Sequence, residues 1–148
     1  MNPDRRYEFP SYWHSCQLSD IALVKGGKRL PAGEDFAEGP TPFPYLRVTD
    51  MVNGTIEDSN IAFVKPEIEP FIRNYKVSSG DLYVTIAGTL GQFGRIPTRF
   101  DQAQLTENSA KITDIDCSQV DKTYFTYFLR SGYVASQVSI ATGVSESL

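Results

Sequence analysis

Residues 80–97, GDLYVTIAGTLGQFGRIP, set the tightest limit on what this chain can fold into. Gly80 and Asp81 form a turn. After it, Leu82, Val84 and Ile86 alternate with Tyr83, Thr85 and Ala87, the period of a half-buried strand. Gly88, Gly91 and Gly94 then recur at every third position, Arg95 follows, and QFGRIP is a short return strand. Two readings of the glycines stay open. They can satisfy the backbone angles of a hairpin turn, or they can bring bare backbone up to a phosphate. A Walker loop is excluded, because it needs Lys and then Ser or Thr after its last glycine, and here Arg95 and Ile96 stand there. A dinucleotide fingerprint is excluded too: the first glycine spacing is wrong, and a strand follows instead of a helix.

The rest of the chain reads as further short elements. CQLSDIALVKGG offers Ser19 and Asp20 as caps of a short turn, then an apolar run stopped at Gly26-Gly27. KRLPAGEDFAEGPTPFP is loop. YLRVTDMVNGTI is a strand and a turn at Asn53-Gly54, a pair that favours positive φ. IAFVK is a short strand, PEIEPFIRNY one or two helical turns opened by Pro66, and LTENSAKIT a further strand. From Asp121 the period changes. DKTYFTYFLRSG puts Phe125, Phe128 and Leu129 on one helical face, with Asp121 as cap and Gly132 as stop. YVASQVSIATG is a second helix that packs back on the first. Short strands followed by a helical hairpin give an α+β fold.

Composition bounds the function. With 148 residues, 41% apolar and 22% charged, the chain has the size and apolar content of one packed domain. No stretch reaches the roughly 18 apolar residues of a membrane span. The N-terminus lacks the apolar run of a signal peptide, so an intracellular, cytoplasmic setting is expected. The net charge of -4 is unlike that of a free-standing nucleic-acid binder, which carries a basic excess, so any basic surface is local. Cys16 and Cys117 are expected to be buried or free thiols, and with one histidine, His14, no zinc spacing exists.

Nucleophilic catalysis has little to stand on. His14 and Cys16 are two residues apart with no third, orienting group, and the carboxylates of IEDSN and PEIEP lie in polar stretches. Side chains able to read base edges gather on the loops instead: Lys28 and Arg29; Arg47, Thr49 and Asn53; Thr89, Gln92 and Arg95; and Gln104, Thr106, Glu107 and Asn108. Arg and Lys suit guanine, Asn and Gln suit adenine, and Glu can accept from cytosine.

LSDIALVKGGKRLPAG, YLRVTDMVNGTI, KVSSGDLYVTIAGTLGQFGRI, LTENSAKI and YFTYFLRSG, in that order, resemble the target recognition domain of type I restriction–modification specificity subunits. The resemblance runs from Cys16 to the C-terminus. It implies short strands in a β-helix-like roll closed by an α-hairpin, with residues 1–15 as a flexible lead-in and 16–148 as one recognition domain. It further implies a non-catalytic role: each such domain reads one half of a split site in double-stranded DNA. A methyltransferase subunit beside it flips and methylates an adenine, and a motor-nuclease subunit joins for cleavage. S-adenosylmethionine, ATP and magnesium would belong to those partners, with no cofactor in this chain. The sequence stops at ATGVSESL, where the family continues into a long spacer helix, so an isolated domain is expected. Two other classes stay open: a small cysteine-dependent enzyme using Cys16 or Cys117, and a protein-interaction domain that has lost DNA contact.

Overall fold

A computed structural model describes residues 8–142. Nine short strands precede a pair of C-terminal helices among these residues, an α+β arrangement. The strands form three small sheets. In the largest, β1 (Leu23–Gly26), β9 (Ser109–Thr113), β6 (Leu82–Thr85) and β7 (Phe93–Arg95) lie side by side in that order, all antiparallel. In the second, β2 (Pro44–Leu46) pairs antiparallel with β5 (Ala62–Phe63) and parallel with β8 (Gln104–Leu105). The third is the hairpin of β3 (Met51–Val52) and β4 (Thr55–Ile56).

The turns are closed by local chemistry. Asn53 and Gly54 have φ of 53° and 76°, as a two-residue hairpin turn requires. In QLSD, RVTD and SSGD, the carboxylate of the fourth residue accepts the backbone N–H of the first: Gln17 to Asp20, Arg47 to Asp50 and Ser78 to Asp81, each at 2.8 Å. The bond offers the backbone a turn that competes with continued strand. Asp20 therefore closes its turn backwards, from inside, instead of capping it as expected. The expected helical turns of PEIEPFIRNY are α1 (Glu69–Ile72), continued as a 3-10 turn through Tyr75.

The helical hairpin begins where the sequence places it. Asp121 caps α2 (Lys122–Leu129), its carboxylate accepting from Tyr124 N–H at 2.8 Å. Phe125 and Leu129 are buried and Phe128 is half-buried. Gly132 is not a stop: Arg130 and Ser131 make the break, and Gly132 opens α3 (Gly132–Thr142).

Strand β6 is buried on both faces, not one, because it has a core on each side. Leu82 faces the hairpin, in a cluster with Ile21, Ile112, Phe125 and Leu129. Tyr83 faces the opposite way, among Leu46, Ile56, Ile96 and Leu105. A third cluster, Tyr45, Val64, Ile68 and Ile72, lies beyond β2. Residues 8–15 of the expected lead-in carry no helix or strand, yet the Phe9 ring stacks on Trp13 at 5.4 Å and meets Tyr133 edge-on at 5.1 Å.

Candidate nucleic-acid interface

The glycine loop, residues 86–92, joins β6 to β7 and is pinned from within by Thr85. That residue is fully buried. Its hydroxyl donates to the carbonyl of Thr89 and accepts from Gln92 N–H at 2.9 Å, while its own carbonyl accepts from Gly91 N–H at 2.8 Å. Gly88 and Gly91 take φ of 77° and 75°, the left-handed region that other residues enter at a cost. The hairpin reading of the glycines is thus correct as far as the backbone goes. Thr89 and Gln92 stand exposed on the pinned loop.

The loop is tied sideways to a cleft. Asn108 O accepts from Ile86 N–H at 2.9 Å and Ala87 N–H at 3.2 Å. Beside it a hollow of about 480 Å³ is lined by Arg29, Arg47, Thr49, Thr106, Glu107 and Asn108, with Tyr45 in its wall. Four loops far apart in sequence thus converge, and they bring together Arg29, Arg47, Thr49 and Asn108 from the residues singled out above.

Each side chain in this cleft is held differently. Arg47 is braced: Nη2 donates to Asn60 O at 2.6 Å, Nε lies 3.6 Å from Asp50, and the guanidinium sits 5.8 Å from the Phe36 ring centroid. Asp50 itself is buried, and desolvation raises its pKa against the opposing pull of Arg47. Glu107 is held through Oε2, which accepts from the Thr106 hydroxyl at 3.1 Å, with the Tyr45 hydroxyl 3.4 Å away. Its Oε1 lies 3.6 Å from Arg29 Nε. Burial pushes the Tyr45 hydroxyl up to about 12, so it stays a proton donor at any ordinary pH; its shorter bond is to Lys28 O, at 2.8 Å. Together with Lys28 N–H donating to Leu105 O at 2.8 Å, this anchors the backbone of the Lys28–Arg29 loop. The Lys28 side chain is exposed, its Nζ 5.8 Å from the Tyr75 ring centroid.

A second, smaller hollow of about 280 Å³ lies by the other end of the loop, lined by Asn53, Gly54, Gly91, Gln92 and Arg130. It unites Asn53 with Gln92 and adds Arg130, which in the sequence is only part of an amphipathic helical segment. No local pattern marks it; only packing of α2 against the β3–β4 turn brings its guanidinium over Gly54.

Two expected contact residues, Gln104 and Arg95, are placed elsewhere, and a third, Thr106, lies in the cleft wall with its hydroxyl taken. Gln104 is 1% exposed, directed inward from β8, so it is closed to any groove of DNA. Thr106 is 4% exposed and its hydroxyl is occupied by Glu107 and by Asn108 N–H at 3.3 Å, which makes it scaffold for the cleft. Arg95 is exposed, but it pairs with Leu82 at the start of β6, whereas the glycine loop leaves from the end of that strand. Its guanidinium lies by the Gly80 turn, about a strand's length from the loop.

No family model matches the chain, and no curated protein matches it. Solved structures do. The HsdS subunit from Thermoanaerobacter tengcongensis superposes with a TM-score of 0.61 over 90% of this chain, at 15% identity. The chain folds like a part of HsdS. A chain from a structure of the assembly and conformational transition of the type I R-M system superposes with a TM-score of 0.63 over 86%, at 13% identity. The chain spans 30% of the length of each. Among the described residues no helix is long and apolar enough to cross a membrane.

Proposed function

We propose that residues 16–148 form a non-catalytic DNA-reading domain of a type I restriction–modification specificity subunit, which takes one half of a split target in double-stranded DNA. The observation that carries this reading is the HsdS-like fold over nine-tenths of the chain. The cleft chemistry supports it. Arg29, Arg47, Thr49 and Asn108 line one hollow at one end of the glycine loop, and Asn53, Gln92 and Arg130 line a second at its other end. These are donors and acceptors suited to base edges and phosphates. The cysteine-enzyme reading has less to carry it: His14 and Cys16 line one apolar hollow of about 580 Å³ beside the helical hairpin, but among the described residues no carboxylate lines it, and the Cys117 thiol donates to the carbonyl of Ile115.

The chain's charge of -4 fits a domain that relies on partners for most phosphate contacts. A methyltransferase subunit would supply those contacts and methylate a flipped adenine with S-adenosylmethionine. A motor-nuclease subunit would bring ATP and magnesium. A cytoplasmic setting follows from that assembly. The test is to coexpress the chain with a methyltransferase subunit and map methylated adenines genome-wide. Methylation confined to a motif, and absent when the chain is omitted, is expected. Failure to associate, or methylation with no motif, overturns the reading.

A further inference from the structure

We propose that Glu107 is the base-selecting acceptor of the large cleft, specific for an exocyclic amino group (cytosine N4 or adenine N6), and that Arg29 covers it until DNA is bound. The inference rests on the DNA-reading role above and names the residue through which one base pair is chosen.

The two carboxylate oxygens have different surroundings. Oε2 is fixed by the Thr106 hydroxyl, which is oriented by Asn108 N–H, and Tyr45 stands behind it. Thr106 and Tyr45 are both buried, so the side chains that aim the carboxylate are held by packing. Oε1 points at Arg29, whose side chain is 76% exposed, while that of Glu107 is 34% exposed. An exposed pair at 3.6 Å is weak and gives way easily. A DNA phosphate competes for the guanidinium and can draw it off. That leaves Oε1, on a prepositioned carboxylate, facing the cleft. An ionised carboxylate only accepts. It matches the amino edge of cytosine or adenine and is repelled by the acceptor-only face of guanine and by thymine O4. In a cleft otherwise rich in donors, such a group acts by rejection as much as by attraction.

The alternative is that Glu107 merely tethers Arg29. Binding competition by the assembled methyltransferase over duplexes varied at each position separates the two. Glu107→Gln keeps the shape and adds N–H donors, so it should admit guanine or thymine at one position. Preference there should fall roughly 5- to 100-fold, with other positions unchanged. Arg29→Ala should weaken binding to all sequences alike and leave that preference intact. If Glu107→Gln weakens every sequence equally, as Arg29→Ala does, or changes nothing, the carboxylate is a tether and the proposal falls. A wild-type assembly that binds DNA with no sequence preference overturns the DNA-reading role itself, and this inference with it.

Discussion

The Tyr83 side chain fills the space that a side chain at residue 94 would need. The two are cross-strand partners on β6 and β7, and a Cβ built on Gly94 would lie 2.2 Å from the Tyr83 hydroxyl oxygen. The ring passes over the glycine and its hydroxyl donates to Thr55 O at 2.8 Å, which fastens the β3–β4 hairpin to the main sheet. Gly94→Ala should therefore cost at least about 1–3 kcal/mol by overpacking, since Gly54 backbone is also within 2.6 Å. Urea unfolding measures this, and wild-type stability in the variant would mean that the sheet can part without penalty.

The glycine loop separates stability from recognition at adjacent residues. Gly91→Ala forces a left-handed backbone on a residue with a Cβ and brings it to 3.0 Å from Val138, so a loss of roughly 1–2 kcal/mol is expected. Gln92→Ala, on an exposed side chain, should leave the unfolding midpoint in place but alter preference at one base position by about 1–3 kcal/mol in the assembled methyltransferase. A methylation pattern unchanged by simultaneous loss of Thr89 and Gln92 would remove this loop from the interface.

Replacing Phe125 with Ala empties a site that is 7% exposed, between α2 and the main sheet, and should cost about 3–5 kcal/mol. Phe128, half-buried at the same helix, should cost less. Equal costs would mean that the two rings share the core evenly.

The Lys28→Ala, Arg29→Ala double variant should lower affinity on all duplexes and flatten the salt dependence of binding, because lost phosphate contacts release fewer counterions. Titration of binding against salt checks it. An unchanged slope and affinity would place this loop off the DNA.

Alkaline pH should weaken the fold in a defined window. Burial raises Tyr45 and Tyr83 to about 12, from the ordinary value near 10. Both phenols hold their protons longer folded than unfolded. The stability they lend is whole below about pH 10 and drains away as pH rises toward 12. Denaturant midpoints should fall across that interval, and phenolate absorbance should show a late-titrating class. A midpoint flat from pH 9 to 12 would contradict the burial of these hydroxyls.

What the sequence reveals and hides follows from the range of each interaction. The Asn53-Gly54 turn, the Asp121 cap and the face of α2 depend on neighbours within a few residues; the turn and cap are as read, and of the face Phe125 and Leu129 are buried while Phe128 is half-buried. The second buried face of β6 is not legible, because Tyr83 and Leu82 meet different cores built from distant segments. Gln104 reads as a surface amide because its type is polar; the pairing of β8 with β2 turns it inward, where both amide atoms lack a protein partner. For the candidate site, residue type found Arg29, Thr49 and Asn108, but only the fold could put them in one cleft, set Arg130 with Asn53 and Gln92 in a second, and send Arg95 to the far end of its strand.

The order of strands in the two larger sheets has a consequence for manufacture. Leu23 of β1 pairs with Thr113 of β9, and Tyr45 of β2 lies beside Gln104 of β8. A ribosome adding roughly 5–20 residues per second leaves β1 without its neighbour for on the order of ten seconds. Strand β1 has no other neighbour in its sheet, and Leu23 and Val24 are exposed even when paired. Nascent chains halted before β9 leaves the exit tunnel should be open to protease along β1, and protection should arrive in one step once residue 113 is outside.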